Sequence, residues 1–143
     1  MPETHMEELG DTECRKLLAE EHLGRLAIVE FGGPVIFPVN YVFDRDLVIF
    51  RTDPGSKLDA ATELERVAFE VDAIDKATRT GWSVVVRGSL AEITDPAYLA
   101  RLRALPLYPW APGPKTRYVR VRPRSITGRR ITIPPDLPFS WWG

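Results

Sequence analysis

Apolar side chains recur at every second residue through positions 34–43, where Val35, Phe37, Val39, Tyr41 and Phe43 share one side of the chain. That is the period of a strand with one buried face. Leu47, Ile49 and Arg51 resume the period after Asp44, Arg45 and Asp46, so the two runs predict a hairpin. The pattern returns elsewhere. Residues 25–31 are strand-like, and Gly32-Gly33 suits a tight link into Pro34. Val67, Phe69 and Val71 alternate with Ala68, Glu70 and Asp72. Trp82, Val84 and Val86 lie opposite Ser83, Val85 and Arg87, with Gly88 placed for a bend or bulge. Residues 117–121 and 125–133 add two strands flanking Pro123. Six or seven strands in mostly hairpin order predict a mainly β fold, closed as an antiparallel barrel rather than doubly wound.

Two or three short helices are expected around it. Asp11 and Thr12 can cap the first, whose apolar stripe is Cys14, Leu17 and Leu18. Leu58, Ala61 and Leu64 at helical spacing predict a second over residues 56–66, and Asp95-Pro96 opens a third that Pro106 ends. Prolines 109, 112 and 114 make a loop around Trp110.

The 143 residues suit one domain over 1–143, with residues 1–10 as a lead-in and 134–143 as a tail ending in Trp141-Trp142. A net charge of -1 gives no bulk attraction for nucleic acid. The single cysteine, Cys14, excludes an intrachain disulfide and any multi-cysteine metal site. No run approaches the roughly 18 apolar residues of a membrane-spanning helix, and the acidic N-terminus lacks the pattern of a secretory signal. A soluble, cytoplasmic protein is expected, with no membrane partner.

The end of the second hairpin strand carries the chemistry. Arg51 offers a bidentate fork for phosphate, Thr52 and Ser56 offer hydroxyls, Gly55 admits close backbone approach, and Lys57 adds a point charge. These residues describe a phosphate cradle, and equally a capped turn with its charges in water. The nucleotide-triphosphate loop is absent, since Leu58 follows the lysine where that motif needs a hydroxyl. Pro38 interrupts its strand and frees backbone groups beside Val39, Asn40 and Tyr41. Gly81, Trp82 and Ser83 can wall a planar ligand, although alternation also places Trp82 in the core. Tyr118, Arg120, Arg122 and Arg124 would share a strand face, which invites a single-stranded nucleic-acid reading; a solvated or dimer-edge face explains them as well.

In order, LGRLAIV, a Gly-Gly turn, PVIFPVNYVFD, LVIFRTDPGSKL, VAFEVD, GWSVVVRG and VRPRSITGRRI resemble the pyridoxamine 5'-phosphate oxidase-like proteins of the flavin-binding split-barrel group. The resemblance implies a homodimer of six-stranded antiparallel Greek-key split barrels with FMN in a groove between subunits. It implies that Arg51, Thr52, Ser56 and Lys57 hold the phosphate and ribityl chain, while Pro38, Val39, Asn40, Phe50, Gly81, Trp82 and Ser83 lie by the isoalloxazine. The implied activity is that of a flavoprotein oxidoreductase acting on a small organic substrate or reduced cofactor through flavin N5. Members using the deazaflavin F420 or binding haem, and a carrier or sensor without turnover, are the alternatives. The chain departs from the pyridoxamine phosphate oxidases proper: after Arg130 it runs ITIPPDLPFSWWG, without the arginine of their substrate-binding C-terminal segment.

Overall fold

The computed structural model describes residues 4–30, 32–56, 58–61, 63–107 and 116–136. They form β1 (His5–Leu9), α1 (Asp11–Glu20), β2 (Leu23–Glu30), β3 (Gly33–Asp44), β4 (Leu47–Thr52), a 3-10 turn (Asp59–Ala61), β5 (Leu64–Asp75), β6 (Thr80–Glu92), α2 (Pro96–Arg103) and β7 (Arg117–Thr132). Every strand pairing is antiparallel. The order β7-β4-β3-β2-β5-β6 closes where β6 pairs back onto β7, and β5 returning beside β2 makes the Greek key.

The ring holds six strands, but the sheet has seven rather than the six that the resemblance implies. The extra strand is β1, within the stretch expected as a lead-in, and it pairs with residues 128–132 of β7. Charge fastens it there, since Arg130 meets Glu7 at 3.2 Å and Glu13 at 2.6 Å. HMEEL has almost no apolar pattern, so alternation alone does not reveal it.

Alternation does account for the barrel interior. Leu26, Tyr41, Phe50, Phe69, Val84 and Val119 turn inward and are essentially inaccessible. Cys14 and Leu18 of α1 plug one end of that core. Tyr41 packs edge-on against Phe69, 4.8 Å between ring centroids, and its hydroxyl donates to the Leu18 carbonyl at 2.6 Å. Burial, then Glu21, drives the Tyr41 pKa far above its ordinary value, so the phenol stays a donor. β4 is buried on both faces. Val48 and Phe50 point into the barrel, while Ile49 is covered by Leu102 of α2 and by Leu107. This explains its unbroken apolar run.

Local chemistry sets the turns. Arg45 and Asp46 both adopt positive φ in the two-residue link between β3 and β4, the geometry that matches strand twist. Asp95 caps α2 by accepting from the Tyr98 amide at 2.8 Å, with Pro96 in the first turn. α1 differs from expectation: Gly10 is its N-cap and no side chain caps it. The helix expected over residues 56–66 is replaced by the 3-10 turn, because Leu64 already pairs with Leu90 in β5. The two last strands are one, β7, which carries Pro123 opposite Gly88 at a bulge. A Cβ on Gly88 would stand 1.9 Å from the Arg122 carbonyl oxygen, so only glycine permits this approach.

Candidate functional site

The cradle forms where β4 leaves the ladder. Thr52 is the last residue of β4, and the chain then turns through Gly55 at positive φ. Asp59, only 7% exposed, organises this turn. It accepts from the Thr52 hydroxyl at 3.2 Å and from the Gly55 amide at 2.7 Å, while its own amide donates to the Ser56 hydroxyl at 3.1 Å. Arg117 Nε stands 3.4 Å from the same carboxylate. The guanidinium of Arg51 lies over the Tyr118 ring, 5.3 Å from its centroid, and donates to the Leu107 carbonyl at 3.5 Å. Lys57 lies outside the described residues.

The inner donors of the turn are taken by an internal anion, since a hydroxyl, a backbone amide and a guanidinium converge on the Asp59 carboxylate. Thr52 spends its proton on Asp59. The Ser56 hydroxyl accepts from Asp59 and keeps its own proton for another acceptor.

Beside the cradle the barrel splits. β3 pairs with β4 only from Tyr41 to Asp44, whereas its pairing with β2 runs from Gly33 to Asn40. Residues Pro38, Val39 and Asn40 thus present one edge outside the β4 ladder, at the level of Arg51, Thr52 and Asp53. Pro38, which has no N–H, sits there without costing a ladder bond. Val39 and Phe50 turn into the core, so they offer a ligand backbone rather than side chain.

Trp82 and Ser83 belong elsewhere. Trp82 packs on the inner core, and Ser83 faces outward over β5 and β7, opposite Asp72 and Arg129. Two adjoining cavities of about 260 and 530 Å³ meet at Ser83 and Arg129. Glu70, Asp72 and Ile74 line one; Met6, Val85 and Thr127 line the other. Arg25 reaches Glu70 at 3.2 Å and Asp72 at 3.0 Å. Burial, then the hydrogen bond and charge of Asp72, push Glu70 up to about 7 against the opposing pull of Arg25.

Sequence reasoning missed Asp59, Arg129 and this carboxyl pair. Arg25 and Glu70 are 45 positions apart, and only the β2–β5 pairing makes them neighbours. The groove adjoins the open edge of β3 within one chain, since Arg25 of β2 pairs with Pro38 on one side and with Glu70 on the other. Thr52 pairs with Arg117 at one end of β7, and Trp82 pairs with Arg130 near the other. The arginine strand offers no stacking platform: Tyr118 is buried, and Arg120 is tied to Ser89 at 3.1 Å. Among the described residues no cluster of metal-ligating side chains forms, and no helix is long and apolar enough to cross a membrane.

The family model for pyridoxamine 5'-phosphate oxidase matches residues 10–130. An uncharacterised protein of Mycobacterium tuberculosis is 36% identical over 136 residues, 92% of this chain and 89% of that one. Among solved structures, an FAD-binding protein from Mycobacterium smegmatis is 42% identical with a TM-score of 0.76, covering 87% of this chain and 98% of its own. An FAD-binding protein from Mesorhizobium loti is 26% identical with a TM-score of 0.70, covering 87% of this chain and 97% of its own.

Proposed function

Because the chain belongs to the pyridoxamine 5'-phosphate oxidase-like family of flavin-binding split barrels, and is not a pyridoxamine phosphate oxidase proper, we propose that it is a flavoprotein oxidoreductase working as a homodimer. The observation that carries this reading is the Thr52–Gly55–Asp59 turn. Braced from within by Asp59, it sets the Ser56 hydroxyl beside the open edge of β3.

In this reading Arg51, Ser56 and Lys57 hold the flavin phosphate, and Asp59 braces the turn from within. The backbone of Pro38, Val39 and Asn40 borders the ring, and Phe50 supports it from the core. A bound flavin supplies hydride transfer at N5, and the protein supplies orientation and electrostatics. The partner subunit brings its outer groove, with Ser83 and Arg129, over the cradle. Leu23 and Ile74, which expose 39% and 51% of their surface, support a contact between subunits.

The resemblance favours FMN, while the relatives named as FAD-binding favour the dinucleotide. One phosphate cradle serves either. Flavin released from the purified protein by denaturation and identified by chromatography decides between them, and titration of the cofactor-free chain with FMN, FAD and F420 ranks the three. A chain that arrives colourless and binds none of them ends the reading. Tight binding with no oxidation of reduced nicotinamide or reduced F420 assigns a carrier instead.

A further inference from the structure

Away from the cradle and the groove, two irregularities in the ladder aim arginines at one cavity. In β5, Glu65 and Arg66 together oppose Ser89 between the pairs Leu64–Leu90 and Val67–Gly88. In β7, Arg124 is the extra residue between the pairs Arg87–Ser125 and Gly88–Pro123. Bulges of this kind turn a side chain out of the regular alternation. Arg66, Arg87 and Arg124 all line a cavity of about 430 Å³ whose floor is apolar: Ala27, Val29, Pro34 and Ala68.

Three guanidiniums around an apolar floor repel one another and gain nothing from it in the folded chain alone. Among the described residues only Arg124 of the three has a counter-charge, Glu65 at 2.9 Å, and that glutamate is 89% exposed. Arg66 and Arg87 form no ion pair among the described residues. The volume is that of a small-molecule site. Charge and floor together select one ligand chemistry, an organic anion with an apolar body and a carboxylate or phosphate head.

We propose that this cavity binds an amphipathic organic anion, with Arg66, Arg87 and Arg124 on its head group and Ala27, Val29, Pro34 and Ala68 against its tail. The site is separate from the flavin reading, and its test does not need flavin.

Calorimetric titration of the full chain as purified, with octanoate, octyl phosphate and octanol as probes, tests it. The two anions saturate at one per chain and octanol binds about tenfold more weakly or worse, the ratio of the anions telling carboxylate from phosphate preference. Arg66→Gln, Arg87→Gln and Arg124→Gln, at exposed positions that leave the core intact, each weaken octanoate about tenfold and leave octanol unchanged. Equal affinity for octanoate and octanol, no binding of either anion, or octanoate affinity indifferent to all three substitutions overturns the proposal. So does a change of oligomeric mass in the arginine variants without a change in anion affinity, which makes the face a contact between copies instead.

Discussion

The Thr52 hydroxyl donates to the Asp59 carboxylate across 3.2 Å, and both side chains are nearly excluded from water. Two groups that read as ligand-facing in the sequence, a threonine and the turn behind it, are joined by a residue that reads as an ordinary helix position. The turn therefore keeps its shape from an internal anion. The Ser56 hydroxyl only accepts within it, so its proton can serve an external one.

Removing that anion tests its role as a brace. Asp59→Ala leaves a buried hydroxyl and the Gly55 amide without their acceptor and Arg117 with Glu92 alone, which costs about 1 to 3 kcal/mol. Asp59→Asn keeps one acceptor and costs less. Urea midpoints with unchanged slope measure both. A wild-type midpoint for Asp59→Ala would remove Asp59 from the site.

Gly88→Ala is expected to cost about 3 kcal/mol or more, because the added Cβ meets a backbone carbonyl that cannot withdraw without opening the β6–β7 ladder. Gly33→Ala is the control, with open space around its Cβ and an expected change of about 0.5 kcal/mol or less. Thermal melts of the two variants should differ widely.

How much of this was legible follows from range. Alternation is local, and it correctly predicts β3 and β6 with their inward faces; it finds β4 too, but the residues read as continuing the period there, Leu47 and Ile49, pack under α2 while Val48 and Phe50 face the barrel. Hairpin order then predicts the closed barrel. β1 has no apolar alternation to show and owes its place to Arg130 and the free edge of β7. The spacing of Leu58, Ala61 and Leu64 is helical, yet the ladder claims Leu64, and ladders between distant segments leave no local trace. The same holds for the site. Arg51 and Ser56 are visible as polar groups in a turn, whereas Arg25, Glu70 and Asp72 become a cluster only through strand pairing. Lys57, Trp110 and the Trp141-Trp142 tail fall outside the described residues.

Glu70 gives the fold a pH signature. Its carboxyl titrates near 4.5 ordinarily and near 7 in the folded protein. Between those values the folded chain keeps a proton that the unfolded chain has lost, so stability falls as pH rises through the window and levels off above it. The side chain is 33% exposed, and screening reduces the penalty to roughly 1 kcal/mol. Glu70→Gln should flatten the decline while Arg25 keeps Asp72 as partner. Urea midpoints taken across this window give the slope, and a slope identical to wild type would refute the raised value.

Cys14 should be inert while the chain is folded. It has no accessible surface, and burial, then Asp11 and Glu13, hold its thiol above the ordinary range. A disulfide reagent at neutral pH should label it only as fast as the protein unfolds, with full labelling in denaturant. Rapid labelling of the native chain would show that α1 detaches from the barrel end.

The shared site has a sharper test than the loss of binding in single variants. Arg51→Ala damages the cradle and Arg129→Ala damages the groove, so a homodimer of either variant has two incomplete sites. If each site takes its cradle from one subunit and its groove from the other, a mixed dimer carries one site with both arginines intact and one with neither. Co-expression of the two variants should then restore wild-type flavin affinity to about one site in four, from random pairing about a two-fold axis. Sites contained within one chain predict no restored class at all, because every chain in the mixture is damaged. Fluorescence titration separates the outcomes, since a quarter of tight sites produces a distinct early phase and uniform weakening does not.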